Sequence, residues 1–182
     1  MTPALIIADS AKSFDVPLGD LRDQYSDKRL VVGVAIVFLA PNDSSGSQRK
    51  LLLLQRAETE DVYPLMWELP GGGAESDDAT LLSTVVREAE EETGLTVTKI
   101  WGTFPGFEYE TSKSKAIQFN FLAGVEVGTE SNIRLNPKEH CAFVWVDKTD
   151  NISRYPMTKD MSQVVSDALD IIEETIFGTC GF

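Results

Sequence analysis

Between Gly71 and Leu95 the chain reads GGGAESDDATLLSTVVREAEEETGL, and Arg87, Glu88, Glu90, Glu91 and Glu92 fall within six positions of it. A charge run of this kind is ordinarily a solvated helix face. A helix advances about 100° per residue, so with Glu88 at zero, Glu91 falls near −60° and Glu92 near +40°. The three carboxylates share one sector, while Glu90 points away to solvent. Leu82, Val85, Val86 and Ala89 occupy the adjoining sector and anchor the helix. Three like charges so placed repel one another. A hard divalent cation, Mg²⁺ or Mn²⁺, relieves that repulsion with oxygen ligands alone. With one histidine in the chain, a zinc site built of several imidazoles is not available. Upstream, LPGGG makes a sharp entry to the helix, where Gly72 and Gly73 let backbone approach a ligand closely. The GK[ST] ending of a phosphate-binding P-loop is missing.

These residues need a scaffold. LVVGVAIVFLA (30–40) is almost continuously apolar and rich in β-branched residues, as in a strand buried on both faces. A polar turn leads to a second strand, LLLLQRA, making a hairpin with a long loop. Met66 to Leu69 is a short strand stopped by Pro70. The helix is expected to begin between Ser76 and Ala79, where Ser and Asp can cap, and to end at Thr93 before Gly94. Further strands are expected at Thr96–Thr103, Phe107–Glu110, Ala116–Val127 and Ala142–Val146. KDMSQVVSDALDIIEETI closes the chain as an amphipathic helix with Val164, Val165, Ala168, Leu169 and Ile172 at helical spacing. Phe14, Val16 and Leu18 suggest a strand or arm within residues 1–29. With no repeat or linker, the 182 residues are read as one α/β domain.

The net charge of −13 argues against a nucleic-acid duplex or an anionic membrane as partner. It leaves open a small phosphorylated ligand met by a local cation. Cys141 and Cys180 form no CxxC pair and are expected to be reduced in a cytoplasmic setting. The N-terminus lacks the basic and long apolar regions of a signal peptide.

REAEEETGL preceded by WELPGGG closely resembles the second half of the Nudix box, G-x5-E-x7-R-E-U-x-E-E-x-G-U with U aliphatic. Arg87, Glu88, Ala89, Glu91, Glu92, Gly94 and Leu95 match it position by position. The lead-in LLLLQRA…WELPGG and the later PKEHCAFVWV extend the likeness over about residues 30–176. The first half of the box departs from the pattern. Eight residues before Arg87 stands Ala79, whereas six after Gly72 stands Asp78. Either one residue is inserted and Asp78 stands in for the first Glu, or the box starts at Gly73 and that Glu is lost. Altered loop geometry and reduced activity would follow.

The resemblance implies a Nudix-like α/β/α sandwich, its mixed sheet held between the catalytic helix and the C-terminal helix. It implies metal-dependent hydrolysis of a diphosphate linked to another moiety, with a nucleoside diphosphate derivative as the typical substrate. Glu88, Glu91 and Glu92 would hold Mg²⁺ or Mn²⁺. Arg87 would orient a carboxylate or form an ordinary helix ion pair. The general base would be a box glutamate or Glu139, which as a later-loop residue also reads as plain surface; His140 beside it reads as a bystander. Arg56 could meet a phosphate. Phe107 and Tyr109, or Phe119 and Phe121, could stack on a base, although such pairs are more often core, as Trp67 and Trp145 should be. The alternatives are a ligand-binding module without turnover and an isomerase or lyase acting on an isoprenoid diphosphate. A homodimer is the assembly the resemblance suggests.

Overall fold

The computed structural model describes residues 4–39, 49–110, 114–125, 128–129 and 131–177. Its framework is an eight-stranded mixed sheet. The strands are β1 (Ile6–Ile7), β2 (Lys28–Leu39), β3 (Arg49–Arg56), β4 (Trp67–Glu68), β5 (Gly71–Gly73), β6 (Val97–Glu110), β7 (Lys115–Val125) and β8 (His140–Val146). The helices are α1 (Leu18–Gln24), α2 (Leu81–Thr93) and α3 (Lys159–Phe177), with 3-10 turns at Asp9–Phe14 and Ile152–Arg154. The order runs β1-β6-β7-β2-β3-β4, with β5 paired to β2 and β8 to β3.

The apolar run in β2 is explained by two cores. Val32, Val34 and Ile36 face α2, where Leu82, Val85 and Ala89 pack with Leu52, Leu54 and Phe121. Ala35 and Val37 face α3, packing with Leu51, Leu53, Val164, Val165, Ala168 and Leu169. Each buried Val, Leu or Ile among these contributes roughly 1.5–3 kcal/mol of burial. The result is an α/β/α sandwich. Among the described residues no helix is long and apolar enough to cross a membrane.

Several local expectations are corrected. The catalytic-type helix begins at Leu81, because Thr80 and Ser83 form a reciprocal capping box that fixes the first turn. Gly94 ends it in the left-handed conformation (φ 69°), as its position suggested. Residues 14–18 form no strand; that region is a 3-10 turn followed by α1, and Phe14 packs edge-on against Phe119 (5.1 Å) and Phe121 (5.3 Å). Phe119 and Phe121 are therefore core residues on the α2 side of the sheet. Phe107–Glu110 is no separate strand but the end of β6, whose pairing with β7 slips between Phe104 and Phe107. The glycines of LPGGG form β5 against Val31–Gly33 instead of a free loop. Ala40, the polar turn after it, Glu126, Val127 and Cys180 lie outside the described residues.

Candidate active site

The glycine strand and α2 meet where the first glutamates lie. Gly71 has a φ of 151°, and a Cβ there would sit 2.1 Å from the Val32 carbonyl oxygen, so no other residue fits. A Cβ on Gly72 would sit 2.5 Å from Glu88 Oε1. The bare backbone at residue 72 is what lets the Glu88 carboxylate lie against β5. The Gly71 amide donates to Glu92 Oε2 at 2.8 Å. Glu88 (8% exposed) and Glu92 (6%) are both buried, whereas Glu91 is exposed and ion-paired to Arg87. Helical phase brought the three together; packing turned two inward and left the third at the rim.

Burial pushes the Glu88 carboxyl up in spite of the Arg87 guanidinium. Burial also holds Glu92 well above the usual carboxylate range, opposed by the Gly71 amide and reinforced by the charges of Glu88, Glu68 and Glu139. Four carboxylates thus lie close enough to feel one another's charge, Glu88 and Glu92 buried, Glu68 half-buried and Glu139 exposed. One oxygen each of Glu92 and Glu139 and a ring nitrogen of His140 lie within 4.8 Å of one another. Such a donor set suits a divalent cation.

Arg87 ties the loop before α2 to the helix. Its Nε donates to Asp78 Oδ1 (3.0 Å) and its Nη2 to Asp78 Oδ2 (2.9 Å) and the Gly73 carbonyl (3.0 Å). Its Nη1 donates to Glu88 and to Glu91, both at 3.0 Å. The Asp78 hydrogen bonds are the main reason that its pKa is raised. Asp78 also accepts from the Glu75 amide and the Thr84 hydroxyl, each at 2.9 Å. Burial alone would raise the Asp78 pKa, but these donors outweigh it and hold the carboxyl below its ordinary value. Asp78 thus braces Arg87, and the Ala79 carbonyl accepts from the Leu18 amide at 2.9 Å.

The other predicted residues divide. Glu139 is exposed at the cleft, on a loop anchored by the Asn136 carbonyl, which accepts from the Glu139 amide (3.1 Å) and the His140 amide (2.9 Å). Arg56 has each guanidinium nitrogen engaged: Nε with the Val62 carbonyl (2.8 Å), Nη1 with Glu68 (2.8 Å), Nη2 with Glu60 (2.6 Å). Phe107 and Tyr109 share a side of β6 with ring centroids 5.6 Å apart. Burial raises the Tyr109 hydroxyl pKa, with the charge of Arg29 opposing and that of Glu68 adding to the shift.

Sequence reasoning missed Glu68 and Arg29. Glu68 lies in WELP, next to the glycines, and reaches the cluster through the β3–β4 pairing of Leu54 with Glu68. Arg29 Nη2 lies 2.8 Å from where Gly73 would carry a Cβ. Its place at the start of β2, paired through Val31 to Gly73, became visible only with the sheet register.

Comparison with known proteins places this geometry. A family model described as NUDIX domain matches residues 29–168. The m7GpppN-mRNA hydrolase NUDT17 of Danio rerio is 31% identical over 130 residues, which cover 64% of this chain and 41% of that protein. An isopentenyl-diphosphate Delta-isomerase of Clavibacter sepedonicus is 26% identical over 102 residues, covering 56% of this chain and 54% of that one. The chain thus spans about half the length, or less, of these curated relatives. Among solved structures, the NUDIX domain of Shewanella oneidensis NrtR complexed with ADP ribose aligns with a TM-score of 0.61 at 19% identity, covering 80% of this chain and 88% of that one. A C. elegans Ap4A hydrolase aligns with a TM-score of 0.59 at 19% identity, covering 82% and 98% respectively. At such identity these structures speak for the fold alone.

Proposed function

The chain belongs to the Nudix family, and on that premise we propose that it hydrolyses a diphosphate linked to a second moiety, with a nucleoside diphosphate derivative as the substrate class. The observation that carries this reading is the buried pair Glu88 and Glu92, set against the bare backbone of Gly71 and Gly72 with Glu68 and Glu139 close by. Burying two carboxylates beside two more is unfavourable in an ordinary core; a divalent cation offsets it.

Glu88, Glu91 and Glu92 would hold Mg²⁺ or Mn²⁺, with Glu91 exchanging its pair with Arg87 for the cation. When bound, the cation neutralises diphosphate oxygens and makes hydroxide available near neutral pH. Arg87 positions Glu88 while its contacts to Asp78 and Gly73 keep the loop closed on the helix. A box glutamate, or Glu139 exposed beside the cluster, would take the proton from the attacking water. Gly72 and Gly73 give the diphosphate close approach to backbone. Arg29, above Gly73, meets a phosphate oxygen, while Arg56 holds Glu68 in the cluster. Phe107 and Tyr109 offer an aromatic surface for a base. The protein works on a small molecule, in the cytoplasm, and a homodimer is compatible with this arrangement.

A second reading is a ligand-binding module without turnover, favoured by the irregular first half of the box, where Asp78 or Ala79 stands in place of the first Glu. Incubation with nucleotide sugars, dinucleotides, diadenosine polyphosphates and isoprenoid diphosphates, with Mg²⁺ or Mn²⁺, separates the readings. Phosphorus-containing products that vanish in Glu92→Gln support hydrolysis. Tight binding without products, unaltered by Glu92→Gln, supports the binding module.

A further inference from the structure

His140 is 2% exposed and is the chain's one histidine. It sits at an irregularity: β8 pairs Ala142 with Gln55 and then His140 with Arg56, so Cys141 is passed over and left exposed. Bulges of this kind re-aim a side chain. Here the result is that His140 stands opposite Arg56 and shares its partner. The His140 Nε2 lies 3.2 Å from Glu68 Oε1, the same oxygen that Arg56 holds at 2.8 Å. The other ring nitrogen, Nδ1, is buried and has no hydrogen-bond partner. A ring nitrogen of this buried imidazole lies within 4.8 Å of one oxygen each of Glu92 and Glu139, and Glu68 fixes the ring as a carboxylate fixes a metal-ligating histidine.

The geometry points to His140 as a metal ligand: Glu92, Glu139 and an imidazole nitrogen of His140 together hold a divalent cation, with Glu68, itself held by Arg56, fixing the ring. This rests on the reading of the cleft as a metal site and goes beyond it in ligand type and metal preference. Two carboxylates alone suit Mg²⁺. An imidazole shifts preference toward Mn²⁺ and the later divalent ions. Glu92 is then a shared residue, contributing to the helix carboxylates on one side and to His140 on the other.

Because there is a single histidine, the decisive observation needs no variant. The full chain, free of any histidine tag, is loaded with Mn²⁺ with and without ¹⁵N-labelled histidine and examined by electron spin-echo modulation. The expected result is a directly bound ¹⁴N signal that labelling replaces with ¹⁵N. Calorimetry adds the preference: His140→Gln weakens Mn²⁺ by at least about tenfold, the lower range seen even for outer partners of metal ligands. Mg²⁺ affinity stays within about twofold. Glu68→Gln weakens Mn²⁺ but keeps the nitrogen signal. Mn²⁺ bound without histidine coupling overturns this inference and leaves the carboxylate site standing. Failure of Mn²⁺ and Mg²⁺ to bind at all overturns both. If His140→Gln does not fold, the labelled wild-type spectrum still decides.

Discussion

Replacing Asp78 by alanine tests whether the irregular loop is braced as its geometry indicates. The carboxylate accepts hydrogen bonds from Arg87 Nε and Nη2, Thr84 Oγ1 and the Glu75 amide, all between 2.9 and 3.0 Å. Removing one partner of a fully buried ion pair costs about 3–5 kcal/mol. Arg87 is one-fifth exposed and keeps Glu88, Glu91 and the Gly73 carbonyl. The expected loss therefore falls to about 2–3 kcal/mol, with the stranded Thr84 and Glu75 donors included. With a urea slope of about 2 kcal/mol/M, the midpoint drops by about 1 M. A double-mutant cycle with Arg87→Ala should return a coupling of at least about 1 kcal/mol. Because freed Arg87 leans on Glu88, metal affinity should fall as well. A variant within about 0.5 kcal/mol of wild type, with no coupling to Arg87, would refute the brace and return Asp78 to an ordinary loop residue.

The metal-free protein should lose stability as pH rises. Glu88 and Glu92 have folded pKa values raised from 4.5, so the folded state binds more protons than the unfolded chain above that pH. Their contribution is fully present below it and is lost as pH rises through the raised values, whereas the Asp78 contribution is lost as pH falls below 3.8. Urea midpoints in a chelator should decline as pH rises above 4.5, recover with divalent cation, and flatten in Glu92→Gln; a midpoint that climbs with pH over that range contradicts this. Gly72→Ala drives a methyl into Glu88 Oε1 at 2.5 Å, so it should weaken metal by roughly tenfold or more while the circular dichroism spectrum stays folded; unchanged affinity by calorimetry would remove Glu88 from the site. Replacing both Phe107 and Tyr109 by alanine should raise KM with little effect on kcat, the pattern of lost uniform binding.

Much of this was legible before any coordinates. The unbroken apolar run of β2 announced a strand covered on both faces, and Gly94 marked the helix end. The 100° step gathered Glu88, Glu91 and Glu92, but a wheel carries no information about the neighbouring sheet. It could not tell that Glu91 falls at the rim while Glu88 and Glu92 go in. The helix start was misplaced because Ser76, Asp77 and Asp78 can all cap; Thr80 prevails through its reciprocal bond with Ser83. Phe119 and Phe121 differ from Phe107 and Tyr109 only in what covers them, and that is tertiary. Glu68, Arg29 and His140 join the site through strand pairings across long stretches of chain. His140 in particular depends on a slip in the β3–β8 register that no periodicity foretells.

The central claim is that this cleft uses a divalent cation and water to split a diphosphate. The most direct measurement follows turnover by phosphorus NMR and mass spectrometry in H₂¹⁸O, using the best substrate from the panel, with and without Mg²⁺ or Mn²⁺. The account predicts one ¹⁸O on one phosphate of the products, strict dependence on the cation, and loss in Glu88→Gln and Glu92→Gln. Conversion without ¹⁸O in any phosphate, or turnover that survives both the chelator and Glu92→Gln, would contradict it.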